Sequence, residues 1–176
     1  PGLTPFPSPR LFRSRKDLGR LLITERNEIS QGLQECLRAL SLSPDDLELR
    51  VRIIDFGRTA LSAEVLSKVI DDGLARYPAS VILAVQRGDY LFRHPEKNEQ
   101  STRMIVEILR DVFGRLPREA TGELRFIIGR MQFGDSLATL GQVAEARRAY
   151  QTVLGLRDVP AAIRSKAMEK LNGLRK

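Results

Sequence analysis

From Ile128 to Leu156 apolar residues recur every three or four positions in two runs. The first holds Ile128, Met131, Phe133, Leu137 and Leu140; the second holds Val143, Ala146, Ala149, Tyr150, Val153 and Leu154. That interval places each set on one face of a helix. Leu140-Gly141-Gln142 separates them, so two helices back to back are predicted. Gly134 and Ala146 are small where antiparallel helices would cross, and Tyr150 and Val153 supply the bulk that fills the next gap.

The same period predicts helices along the rest of the chain. Asp17 is placed to cap a first helix through Leu18, Leu21, Leu22 and Ile23, and Ser30 opens a second that ends at Ser43-Pro44. Asp45-Asp46 sets two acids against the dipole of a third, which runs from Leu47 to near Gly57. Ser62 opens a fourth, to Tyr77-Pro78, and Ser80 caps a fifth through Leu91. A loop around Pro95 leads to a sixth with Met104, Ile105, Ile108, Leu109 and Val112. A seventh is predicted from about Arg118 to Leu140, an eighth from Val143 to Leu156, and a ninth from Pro160. The ninth carries a single stripe of Ile163, Ala167, Leu171 and Leu174. A one-sided last helix is what a helical array needs to close its end.

Prolines punctuate this pattern at a fixed interval. Pro44 and Pro78 stand 34 residues apart, and Pro117 follows after 39, with the extra residues in the polar run His94–Gln100. Gly88 lies ten residues after Pro78, and Gly32 and Ala39 are the small residues of the helix before Pro44. With Phe133-Gly134, Gly141, Ala146, Tyr150 and Val153, this resembles the tetratricopeptide repeat, a helix–turn–helix unit of 34 residues. The resemblance covers residues 17–176. Leu66 and Ile105 replace the usual alanine, Ile54 replaces the glycine, and Asp158 stands where the last proline belongs. It implies an all-α fold, an α-solenoid of about four antiparallel hairpins closed by a capping helix at 160–174.

Length sets a prior of one domain, and a repeat array buries its core between neighbours. Residues 1–16 form a separate Pro-rich basic tail, whose four prolines favour extended polyproline structure over a helix. Phe6, Leu11 and Phe12 would anchor it on a partner if it is an ordered arm. The chain begins at Pro1 and not at methionine, which suggests that something preceded it. The net charge of +7 belongs to the ends. Arg10, Arg13, Arg15, Lys16 and Arg20 against Asp17 give the first 20 residues +4. Arg164, Lys166, Lys170, Arg175 and Lys176 against Glu169 give the last 16 another +4, which leaves the body at −1. The longest charge-free stretch, about Tyr77 to Gln86, is far shorter than the roughly 18 residues of a membrane helix. A single cysteine, Cys36, fits a reducing intracellular compartment, cytoplasmic or organellar.

No constellation for catalysis emerges. His94 is the one histidine and lies in a His-Pro loop, so a histidine triad or metal site has little to draw on. Cys36 shares an apolar helix face with Leu33 and Leu40 and reads as a buried thiol. There is no phosphate-binding glycine loop, and no cofactor or metal is expected. The resemblance directs attention instead to the first helices of the repeats, whose inner faces line the family's groove. Just after the family's glycine position come Asp55, Asp89 and Asp135, with Val51, Val85 and Met131 one turn earlier and Phe92 nearby. A carboxylate-edged apolar column suits a basic segment of a partner. Alternatively the aspartates pair with Arg58, Arg87, Arg93 or Arg130 as a solvated surface.

Two classes of function remain. One is a non-catalytic scaffold or subunit that holds a protein partner, with a basic peptide as candidate, and is not inserted in a membrane. The other is an RNA- or ribosome-associated protein that uses the basic ends, Arg10, Arg13, Arg15, Lys16, Arg164, Lys166 and Lys170.

Overall fold

The computed structural model describes residues 9–94 and 98–174. Regular structure among these residues is entirely helical. The chain divides into two compact units, Pro1–Ala79 and Ser80–Lys176, where length alone suggested one.

The first unit contains α1 (Pro9–Thr24), α2 (Ile29–Leu42), α3 (Leu47–Gly57) and α4 (Ala63–Arg76). Asp46, one of the two acids placed at the start of the third helix, caps it by accepting the Leu49 amide at 2.8 Å. Ser62, which opens the fourth, accepts that of Val65 at 3.3 Å. Ser30, expected to open the second, lies inside α2, which begins after Glu28 without a side-chain cap. Pairs α1/α2 and α3/α4 are antiparallel hairpins. At the first crossing two glycines meet. A Cβ on Gly19 would lie 2.8 Å from the Gly32 carbonyl, and one on Gly32 would lie 2.8 Å from that of Gly19. Leu33, Cys36 and Ala39 of α2, Ile53 of α3 and Ile70 of α4 are fully buried.

Arg50 is also buried, at 2% exposure. Its guanidinium donates to the Pro44 carbonyl at 2.9 Å and the Val69 carbonyl at 2.8 Å, so α3 is pinned to the turn before it and to α4 after it. Burial lowers its pKa.

Helix α1 corrects the expectation of a non-helical tail through residue 16. It starts at Pro9 and contains Asp17 in its interior, where that side chain caps nothing. Proline is tolerated in the first helical turn because its missing N–H is a donor the helix leaves unused there. Residues 1–8, including Phe6 and three of the four prolines, lie outside the described part, as does the loop at 95–97.

The second unit contains α5 (Val81–Arg93), α6 (Glu99–Arg115), α7 (Leu124–Thr139), α8 (Val143–Gly155) and α9 (Ala161–Gly173). Ser80 caps α5, and Asn98 with Ser101 forms a reciprocal capping box at the start of α6. The seventh helix is shorter than predicted: Arg118–Gly122 is a 3-10 segment, and Glu123 is extended before α7 begins. Thr121 and Gly122 favour helix weakly, which fits a break there.

Helix α7 ends on Gly141 at φ 73, with the Gln142 amide on the Leu137 carbonyl and the Gly141 amide on that of Ala138. A side chain at such a φ would be strained, hence glycine between α7 and α8. Phe133, Leu137, Ala146, Tyr150 and Val153 are all buried, as the repeat pattern predicts. Helix α9 buries Ala167 and Leu171 of its stripe.

Candidate functional site

The site of interest lies within the second unit and begins with a glycine. A Cβ on Gly134 would stand 2.6 Å from Cε1 of Tyr150, so the α7–α8 crossing brings the Tyr150 ring against bare backbone. That closeness carries the phenol past α7 to the next residue, Asp135, whose Oδ1 accepts its hydroxyl at 2.6 Å. From α9, Lys170 Nζ reaches the same oxygen at 3.0 Å. Burial first, and the neighbouring carboxylate second, push Tyr150 ionisation far above its ordinary range, so the phenol keeps its proton and donates.

This cluster stands in a cleft of about 1150 Å³ lined by residues of α5 to α9. Phe92 contributes an aromatic wall, the Glu99–Arg103 ion pair and Glu169 contribute charge, and Leu140 and Leu174 add apolar surface. Ser136, 2% exposed, also belongs to the lining.

The predicted groove residues separate into three groups. Phe92 and Asp135 line the cleft. Val85, Asp89 and Met131 are buried at 3%, 7% and 6% exposure, in the packing and not on an open face. Asp89 accepts Nε2 of Gln132 at 2.6 Å and Nε of Arg93 at 2.8 Å, tying α5 to α7. Val51 and Asp55, both half-buried, belong to the first unit, where Asp55 stands 3.4 Å from Arg58. Asp55 with Arg58 and Asp89 with Arg93 are two of the arginine pairings named in the alternative. Asp89, however, is buried and not part of a solvated surface, and Asp135 pairs with Lys170 and Tyr150.

The basic ends are substantially engaged within the fold. Arg15 pairs with Glu35 at 2.7 Å and Lys16 with Asp46 at 2.7 Å. Arg164 donates to the carbonyls of Leu154, Leu156 and Arg157, closing the C-terminal end of α8. Lys170 is held by Asp135. Arg10, Arg13 and Lys166 are exposed.

His94 rests against the Tyr90 ring with centroids 4.0 Å apart, and Cys36 is buried. Sequence reasoning missed Gly19 and Gln132, and it named Arg164 only as one of the basic ends, not as a donor to the carbonyls after α8. A glycine facing Gly32 across a predicted hairpin was a readable signal. Arg164 lies in the first turn of α9 and reaches back to the end of α8, which spacing along the chain does not reveal.

No protein-family model matches the chain, and no curated protein matches it. Comparison with solved structures finds the crystal structure of the MamA protein, a TPR-containing protein. The match has a TM-score of 0.71 at 11% sequence identity and covers 95% of this chain and 82% of that one. The fold is tetratricopeptide-like. At that identity the likeness concerns backbone architecture, an α-solenoid of helix hairpins. No helix among the described residues is long and apolar enough to cross a membrane.

Proposed function

We propose that this protein is a non-catalytic interaction scaffold, and that the cleft of the second unit receives a segment of a protein partner. The observation that carries this reading is Asp135: a carboxylate at the cleft wall, already holding a lysine, beside the aromatic surfaces of Phe92 and Tyr150. A partner segment with lysine or arginine next to an apolar residue would exchange its cation for Lys170 on Asp135 and lay its apolar side chain against Phe92. The tetratricopeptide-like fold supports a protein partner as the class of ligand. Of the cations an RNA reading would use, Arg15, Lys16, Arg164 and Lys170 are engaged inside the fold.

Exchange at Asp135 makes a directional test possible. A peptide library should be selected on the protein and the binders measured by fluorescence polarisation. Binders should carry a basic residue, Asp135→Asn should weaken them about tenfold, and Lys170→Ala should strengthen them by removing the internal competitor. Equal affinity for both variants and the wild type would show that the partner does not use this cleft.

A further inference from the structure

The outer face of α1 has no role in the cleft, and its composition is specific. Leu11, Leu18 and Leu21 are 44%, 46% and 38% exposed, although Gly19, Leu22 and Ile23 of the same helix are buried. At about 100° per residue those three leucines share one sector roughly 80° wide. Arg10, Arg13 and Arg20, all exposed, fill the adjoining sector together with Asp17, and on the other side buried Leu22 stands between the leucines and Arg15. Asp17 is the one acid between Pro9 and Thr24 against five cations.

We infer that this face of α1 docks on an anionic lipid surface. An in-plane amphipathic helix needs an apolar stripe that enters the headgroup boundary and long cations beside it that reach lipid phosphates. α1 supplies both, with an exposed stripe that adjoins the buried face at Leu22. Charge argues against a second copy, because two α1 helices would bring +4 against +4. The leucines project from a single helix, and a fluid bilayer needs no matching contour. Arg15 is steadied by Glu35, which fixes the orientation of the face relative to α2.

The test is co-sedimentation with vesicles of phosphatidylcholine alone or with about 30 mol % phosphatidylserine. The wild type should sediment with the anionic vesicles at low salt, release as salt rises, and ignore the neutral ones. Leu11→Ser/Leu18→Ser/Leu21→Ser should lower partitioning at least about tenfold, with helicity by circular dichroism unchanged because these side chains are exposed. Arg10→Gln/Arg13→Gln/Arg20→Gln should lower it by about a hundredfold at low salt. Lys170→Ala, in the other unit, should leave it unchanged, so failure here and failure of the cleft reading stay distinct. The inference is overturned by no sedimentation of the wild type with anionic vesicles, by the leucine variant sedimenting like the wild type, or by a dimer that the leucine variant makes monomeric without any vesicle binding. Capture of an acidic peptide by α1 in place of vesicles would overturn it in favour of a protein partner.

Discussion

Replacing Gly134 by alanine sets two effects of opposite sign against each other. Gly134 lies inside α7, where alanine is favoured over glycine by about 1 kcal/mol through backbone entropy. The added Cβ would sit 2.6, 2.9 and 3.0 Å from three ring carbons of Tyr150. That ring is 1% exposed and its hydroxyl is held by Asp135, so it cannot swing aside as a flexible chain end would. Overpacking of this kind costs about 1–3 kcal/mol. If the ring shifts, the hydrogen bond to a carboxylate is lost as well, at about 1.5–3 kcal/mol.

The net effect should be destabilisation on the order of 1–4 kcal/mol, seen as a lower urea midpoint at unchanged slope. For a unit of this size the melting temperature should drop at least about 5 °C. Gly114 in α6 is the control, since a Cβ there meets nothing within 4 Å. Gly114→Ala should raise stability by up to about 1 kcal/mol. If Gly134→Ala is as stable as Gly114→Ala, the α7–α8 crossing is not as close as described.

Other substitutions and conditions probe separate parts of the fold. Tyr150→Phe should cost about 1–2 kcal/mol in chemical denaturation, against about 3–5 kcal/mol for Tyr150→Ala; equal costs would mean that the ring's packing contributes nothing beyond the hydroxyl. Burial pushes the Cys36 thiol up, so a thiol reagent should label it far more slowly in native protein than in urea. Labelling at the unfolded rate would show that α1 does not cover α2. Burial alone would raise the Asp46 carboxyl, but Lys16 and the Leu49 amide hold it below its ordinary 3.8. Arg15 and Arg38 likewise outweigh burial at Glu35, held below 4.5. Both groups therefore stabilise the first unit fully above about pH 4.5, and that contribution is lost as pH falls through their depressed values. Lys16→Met should flatten the acid limb of an unfolding-against-pH curve, and an unchanged limb would refute the pairing.

Local chemistry was legible at some caps and not at others: Asp17 and Ser30 fall inside helices, and the Asn98–Ser101 box was not foreseen. Asp46, Ser62 and Ser80 cap the helices they were expected to cap, because a cap spans three positions. Gly141 ends α7 where the apolar period stops. The tail was misread because proline density was taken as decisive, although a proline at Pro9 is compatible with the first turn. Burial of Asp89 was invisible for a different reason. Its partner Gln132 is 43 residues away, and the repeat spacing that aligned it with Asp55 and Asp135 carries no information on which aspartate is covered. Asp135 and Phe92 could be named from the family's groove. Lys170 was counted among the basic ends, and its role at Asp135 depends on where α9 packs against α8.

The pin made by Arg50 bears on how the first unit folds. Pro44 and Val69, whose carbonyls it holds, lie on opposite sides of α3 in the chain. A state in which α3 has packed on α2 while α4 is still loose would bury a guanidinium with half its acceptors missing, which is strongly unfavourable. Such a partly assembled state is penalised, whereas an open chain keeps the cation hydrated at no cost. Repeat arrays ordinarily assemble piecemeal from neighbour contacts. Here one charged side chain couples two successive hairpins, so that α2, α3 and α4 form and dissolve together. Arg50→Met would loosen that coupling and broaden the unfolding transition of the unit.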